Sequence, residues 1–267
     1  MSKTDDIAIN NPFKIAGDLV GMINVNLCTA INRAVNSLNF SKEELQGILS
    51  LLEEREGKIA TVYNNLLTGI ITDFNLQLDS GKRFLTGHDL FWIEAGRYKA
   101  EAMHSPKKSA IDDTTEKLNM LKTILSMKTL LNKRTYDEAS RGILAEIRLS
   151  EKEYANSFYA DYIDFEQLYY SFLRDLATVR MQATLIAAVM EWRKTGSVPT
   201  AVSTLSEAEK IPVQMTINPF SGKPFQIASE SIGDSGAGAK KAIVIQGIKE
   251  WKEFHGAIKA IYVMGNE

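Results

Sequence analysis

The chain holds one cysteine, Cys28, and three histidines, His88, His104 and His255, among 267 residues. One cysteine excludes an intramolecular disulfide and any all-cysteine zinc site. Cys28 lies in an apolar-periodic stretch, so it reads as a small buried hydrophobe rather than a reactive thiol. No two histidines stand at helical spacing and no His-Glu-x-x-His run occurs, so no metal site and no cofactor are expected. No run of about 18 apolar residues is present, so no stretch reads as a membrane span. No basic region leads into an apolar core at the start, so no signal peptide is visible. The expectation is a cytoplasmic chain if Met1 is a native start, or a fragment whose targeting segment has been removed. An excess of one charge is also lacking: the net charge is -2 and the pI about 6.0. The densest basic pair is Lys240-Lys241, too short to displace counterions from a nucleic-acid backbone, so no nucleic-acid partner is expected.

What is present is helical periodicity. Asn11-Pro12 is a helix opening, with Asn as the cap and Pro at the first helical position. From Phe13 to Leu38, Ile15, Leu19, Met22, Ile23, Leu27, Ala30, Ile31, Ala34, Val35 and Leu38 recur at the three-four spacing of a one-faced helix. Ser41-Lys42-Glu43-Glu44 is a capping box. The helix after it runs through Leu45, Ile48, Leu49 and Leu52, then past Gly57 through Ile59, Val62, Leu66, Ile70 and Phe74. Gly57 costs about 1 kcal/mol in a helix interior, so a break or kink is expected there. Asp79-Ser80-Gly81 ends the segment, and an aromatic-rich helix is expected over 85–103. Asp112 or Asp113 caps a further helix to Leu131, and capping boxes at Thr135 and Ser150 predict two more starts.

The longest helix is expected from Asp164 to Gly196, with a seam of Phe165, Leu168, Phe172, Leu176, Val179, Ala183, Ile186, Ala187 and Met190. At 1.5 Å per residue it spans roughly 45 Å. Gly196 is its natural C-terminal stop and Pro199 bars resumption. Beyond it the composition changes, since four of the six prolines fall between 199 and 224. Ala242-Ile243-Val244-Ile245 and Ala257 to Val263 are short β-rich runs. Between helix and strands, Asn218, Pro219, Phe220, Gly222 and Pro224 form a turn device. Pro219 pre-sets φ, Gly222 takes φ > 0, and Asn218 can bond its own backbone two residues on.

Several constellations have a chemical reading that their surroundings undercut. Gly233-Asp234-Ser235-Gly236 matches the nucleophile stretch of trypsin-like proteases, but that chemistry needs a His base and an orienting Asp on a double β-barrel. A solvated Gly-Ser loop is the reading taken. The same stretch up to Lys240 lacks the Gly-Lys-Ser/Thr ending of a phosphate loop. Glu53, Glu54 and Glu56 read as a solvated helix face. One aromatic cluster stands out: Phe158, Tyr159, Tyr162, Phe165, Tyr169, Tyr170 and Phe172 place seven aromatics in fifteen residues. They cannot all face one core, so Tyr159, Tyr162, Tyr169 and Tyr170 are the candidate lining of an inter-helix groove for an apolar, glycan or peptide ligand.

The C-terminal order of parts resembles the major pseudopilins of type II secretion. Ala187 to Arg193 ends a long helix, Gly196-Ser197-Val198-Pro199 and Ile211-Pro212-Val213 follow, and Asn218-Pro219-Phe220-Ser221-Gly222-Lys223-Pro224-Phe225-Gln226-Ile227 completes the series. It looks closer still to a set of uncharacterised membrane-anchored bacterial envelope proteins with a helical ectodomain before a similar ending. Asn218 stands where those families carry Asp, Val198 where they carry Tyr, and the pilin-type apolar N-terminal helix is not in the sequence. The resemblance implies a structural turn and an extracytoplasmic location, in the periplasm or envelope. It implies a protein partner there, membrane contact only through an anchor outside this chain, and no catalytic residue.

The expected architecture is therefore mainly α: a multi-helix bundle over 1–196 with one long central helix, and a small β-containing subdomain over 197–267. The expected function is a non-catalytic envelope scaffold or interaction protein. The alternative is a binding module built on the Tyr-rich groove, and a hydrolase site of dispersed carboxylates and histidines is a third possibility.

Overall fold

In a computed structural model the described residues are 12–79, 113–153, 165–208, 211–232, 240–247 and 259–264. They form helices α1 (Pro12–Ser37), α2 (Lys42–Asp79), α3 (Asp113–Lys133), α4 (Glu138–Glu153), α5 (Phe165–Thr195) and α6 (Val202–Ala208). A 3-10 turn (Val213–Thr216) and strands β1 (Gln226–Ile232), β2 (Lys240–Gln246) and β3 (Lys259–Val263) complete the order. The fold is mainly helical, with a small C-terminal antiparallel sheet in the order β1-β2-β3; α5, expected to be the longest helix, is long at 31 residues but is exceeded by α2 at 38. The helix expected over 85–103, the cap at Asn11 and the Gly233 to Gly236 stretch lie outside the described residues.

Local chemistry explains several of the helix ends. At the start of α2, Ser41 N–H donates to Glu44 Oε2 at 2.7 Å and Glu44 N–H to Ser41 Oγ at 3.2 Å. Each partner satisfies one donor that the first turn leaves orphaned. Helix α5 stops at Gly196, which takes φ +71° and donates its N–H to Trp192 O at 2.7 Å. Arg134, φ 54°, ends α3 in the left-handed region that a side chain rarely enters.

Three expectations about boundaries are corrected. Helix α2 runs unbroken through Gly57, because Leu52, Glu56, Ile59 and Tyr63 bury one continuous face on both sides of it. Tertiary burial there outweighs a propensity cost of about 1 kcal/mol. Helix α4 begins at Glu138, the last residue of the Thr135 box, and it continues through Ser150 to Glu153, so no new helix starts at Ser150. Helix α6 and strand β1 were not anticipated.

The chain divides into two compact units. One comprises Met1–Leu19, Thr61–Lys133 and Ala139–Tyr170. Its core is Tyr63 and Leu67 of α2, Ile124, Met127, Leu130 and Leu131 of α3, Leu144 and Ile147 of α4, and Phe165, Leu168 and Tyr169 of α5. The three-four spacing within each helix puts these side chains on one face.

The other unit comprises Val20–Ala60, Arg134–Glu138 and Ser171–Glu267. Its centre is α5, where every residue from Ser171 to Met190 is buried except half-buried Arg174. The sequence suggested a single seam, but this helix is enclosed on all sides. Around it lie Cys28 and Val35 of α1, Leu45, Leu49, Leu52 and Ile59 of α2, Leu205 of α6, Met215, Phe225, Ala242 to Ile245, Ala260 and Tyr262. Each fully buried large side chain contributes about 1.5–3 kcal/mol of transfer free energy. The sheet segment therefore shares a core with most of α5.

Strand β3 is tied down at its outer edge by α1. Asn36 Oδ1 accepts from Val263 N–H at 2.8 Å, while Asn36 Nδ2 donates to Ile261 O at 3.0 Å and Asn32 O at 2.8 Å. The carboxamide thus supplies one donor and one acceptor where a neighbouring strand would. Arg193 reinforces the corner by donating to Phe40 O at 2.6 Å. Trp192 packs on Tyr262 with ring centroids 5.8 Å apart.

Candidate functional site

On a helix enclosed on all sides a buried charge such as Arg180 is costly unless it is paired internally, and Arg180 is paired, whereas Gln182 Nε2 is buried with no hydrogen-bond partner among the described residues. Arg180 is 2 % exposed, and it donates from Nε and Nη2 to Glu56 Oε1 at 3.0 and 2.6 Å. Arg134 Nη1 donates to the other oxygen, Glu56 Oε2, at 2.8 Å. The remaining nitrogen of Arg180, Nη1, reaches Ile217 O at 3.3 Å and Arg134 O at 3.5 Å. One carboxylate from α2 is thereby clamped between two guanidiniums, one from α5 and one from the link after α3. Burial pushes the Arg180 guanidinium down from its usual value, Glu56 opposes that by charge and hydrogen bonding, and Arg134 adds to it. Glu56 is 2 % exposed and is no part of a solvated face. That corrects the reading for Glu56 alone; Glu53 and Glu54 are exposed, as expected.

The same helix face holds the Asn218 turn. Thr184 Oγ1, one turn after Arg180, lies 2.9 Å from Arg180 O and 3.2 Å from Met215 O, sharing its proton between them. Within the turn Ile217 bridges Pro224, Asn218 N–H donates to Lys223 O at 2.9 Å and Gly222 N–H to Asn218 O at 2.9 Å. Asn218 Oδ1 accepts from Phe220 N–H at 3.0 Å, the local bond its residue type offers. Gly222 sits at φ +64°. Outside the turn, Pro219 O accepts from Tyr136 N–H at 2.6 Å, and Phe225 is buried. These groups fix the backbone of the turn against α5 and the 134–138 link.

A second buried polar group lies further toward the start of α5. Arg55 Nε donates to Asn24 Oδ1 at 2.8 Å, and Asn24 is fully buried. Arg174 Nε stands 3.5 Å from Asp175 Oδ1, and Gly21 of α1 leaves room for that guanidinium: a Cβ there would lie 2.0 Å from Arg174 Nη2. Cys28 is buried beside it, with Sγ 3.8 Å from Thr178 O. Burial pushes its thiol up to about 12, with Arg55 opposing and Asp175 adding to the shift. A thiol so shifted is inert as a nucleophile near neutral pH.

Of the four tyrosines proposed for a groove, Tyr159 and Tyr162 lie outside the described residues. Tyr169 is fully buried, and its hydroxyl donates to Ser140 Oγ at 3.3 Å. Tyr170 is half-buried and its hydroxyl donates to Glu166 Oε1 at 2.7 Å; the two rings are 6.4 Å apart, centroid to centroid. Glu166 also receives a fork from Arg148, whose Nε lies 2.6 Å from Oε2 and whose Nη2 meets Oε1. The hydrogen bond from Arg148 holds the Glu166 carboxyl below the usual range, burial opposes that, and Tyr170 assists it.

His88, His104 and His255 also lie outside the described residues. Among the described residues no group of three or more His, Cys, Asp or Glu could hold a metal ion, and no helix is long and apolar enough to cross a membrane. An open depression of about 490 Å³ lies beside the start of β1, lined by Thr200 to Ser203, Pro224 to Ala228 and Gln246. Comparison of the chain with known protein families, with curated proteins and with solved structures finds no match.

Proposed function

We propose that the chain is a non-catalytic scaffold or interaction protein of the bacterial cell envelope, working outside the cytoplasm and held there by an anchor beyond these residues. The observation that carries this reading is the order of the C-terminal parts. A long helix ends at Gly196, Pro199 and Pro212 follow, the Asn218 turn is fixed against the helix, and an antiparallel sheet comes last. The resemblance to the pseudopilins and to the anchored envelope proteins implies that order.

The internal bonding favours the same reading. Arg180, Glu56 and Arg134 are engaged with one another and with backbone carbonyls, which suits a rigid platform. The test is a fusion of the full gene product to alkaline phosphatase, an enzyme that folds only outside the cytoplasm, expressed in the native host. Phosphatase activity is the expected result. An inactive phosphatase, with the fusion intact in the cytosolic fraction, overturns the location and the envelope role with it.

A further inference from the structure

Helix α1 presents its faces in the reverse of the usual order. Leu19, Met22, Ile23 and Leu27 belong to the apolar series that predicted a buried face, yet all four are exposed, Met22 at 59 % and Ile23 at 57 %. The residues it buries fully over 20–37 are Gly21, Asn24, Cys28 and Val35, only one of them a large aliphatic. In the same unit the start of α2 buries Leu45, Leu49, Leu52 and Ile59. Burial stabilises in proportion to the apolar area covered. Helix α1 is therefore the more lightly held of the two.

Several of the contacts that hold α1 inward are polar. Asn24 Oδ1 accepts from Arg55 Nε at 2.8 Å, and Asn24 Nδ2 is buried with no hydrogen-bond partner among the described residues. Asn36 bonds Val263 N–H and Ile261 O of β3. Water can take the place of each partner once the helix lifts, and the Asn24 amide gains a partner by it. Helix α2 does not rely on α1 for its start, because the reciprocal bonds of Ser41 and Glu44 close its first turn locally. The chain bends at Leu38, between the two helices.

We propose that the 20–37 part of α1 is a detachable strap. It lifts from α5 and β3 as one piece, in a sub-global opening that leaves α5 and the sheet folded. Lifting uncovers the backbone of α5 at Thr178, whose carbonyl Cys28 Sγ meets at 3.8 Å, and the outer edge of β3 that Asn36 caps. This opening is independent of where in the cell the chain works.

The experiment is native-state hydrogen exchange of the whole chain, read residue by residue by NMR across a low-urea series. The amides of residues 23–35 in α1 are expected to exchange together, about tenfold or more faster than those of 181–190 in α5. Their rate should rise little with urea, because a lifted strap exposes less surface than global unfolding. Ile243→Val, at a fully buried position of β2, separates the two processes. It weakens the sheet equally with the strap down or lifted, so exchange in α5 speeds about fivefold while exchange in α1 is unchanged. If wild-type α1 exchanges at the rate of α5, or Ile243→Val accelerates both alike, the strap does not open on its own and the proposal is overturned. Rates in α1 that fall off one residue at a time from an end, with no shared value, mark fraying and overturn it as well.

Discussion

Removing the Glu56 carboxylate is the sharpest perturbation of this fold. In Glu56→Ala, Arg180 stays 2 % exposed and loses both of its short bonds, those at 3.0 and 2.6 Å. It keeps only the carbonyls of Ile217 and Arg134 at 3.3 and 3.5 Å, both long. Leaving a buried charge without its partner costs about 3–5 kcal/mol. Arg134 adds little, because its side chain is 36 % exposed and can turn to water. The expected loss is therefore about 3–4 kcal/mol, read as a shift of the urea midpoint multiplied by the slope. Hydrogen exchange should report the same change locally, with faster exchange at Asn218, Gly222 and Phe225, because Arg180 holds the Ile217 carbonyl that begins the turn. The pair Glu56→Leu with Arg180→Met removes both charges. It should recover at least about 2 kcal/mol relative to the sum of the single variants, since a buried ion pair replaced by apolar groups is often close to neutral. If Glu56→Ala costs less than about 1 kcal/mol, or the double variant equals the sum, the cluster is not the internal anchor described here.

Four further outcomes follow from separate parts of the structure. Gly57→Ala meets nothing within 4 Å and should stabilise by about 0.5–1 kcal/mol. Gly21→Ala must push Arg174 aside from 2.0 Å and should destabilise by about 1–3 kcal/mol; thermal unfolding of both variants separates the two signs. The Glu166 carboxyl is held below its unfolded value, so its contribution is present above about pH 4.3 and is lost as pH falls through the folded value. Glu166→Gln should flatten that acid limb in urea titrations, with a difference that shrinks in high salt because Arg148 is exposed; an unchanged limb counts against it. Cys28, with its thiol pushed up to about 12, should resist iodoacetamide in the native protein and take one adduct in urea, as read by mass spectrometry. Rapid native labelling would contradict the burial.

The helical class is legible because it rests on short-range signals. The three-four spacing of α5, the reciprocal Ser41 and Glu44 bonds, and the stop at Gly196 each depend on residues within one or two turns. What escaped is what depends on distant residues. Glu56 sits in the run Glu53-Glu54-Arg55-Glu56, which looks like a water-facing stretch; its partner Arg180 is 124 residues away. A clue lay on the other side of the pair, since Arg180 falls between Val179 and Met181 in a helix with apolar residues on every face. Such a charge has to find a counterpart inside. Strand β1 escaped for the opposite reason: QIASESI is polar and half exposed along its length, so it lacks the apolar run that announced β2. The unbroken course of α2 past Gly57 shows burial on both sides outweighing a local preference.

The Asn36 cap has a consequence for the order in which this chain can be completed. Its carboxamide waits for Val263, 227 residues later, and Arg180 waits for Ile217, 37 residues later. During vectorial synthesis the first helix is made early, yet it cannot close its last polar contact until β3 has left the ribosome. Contacts so far apart in sequence form slowly, because loop closure precedes any gain from them. The unit around α5 is therefore finished only once β3 has emerged, and until then its polar interior has water for a partner.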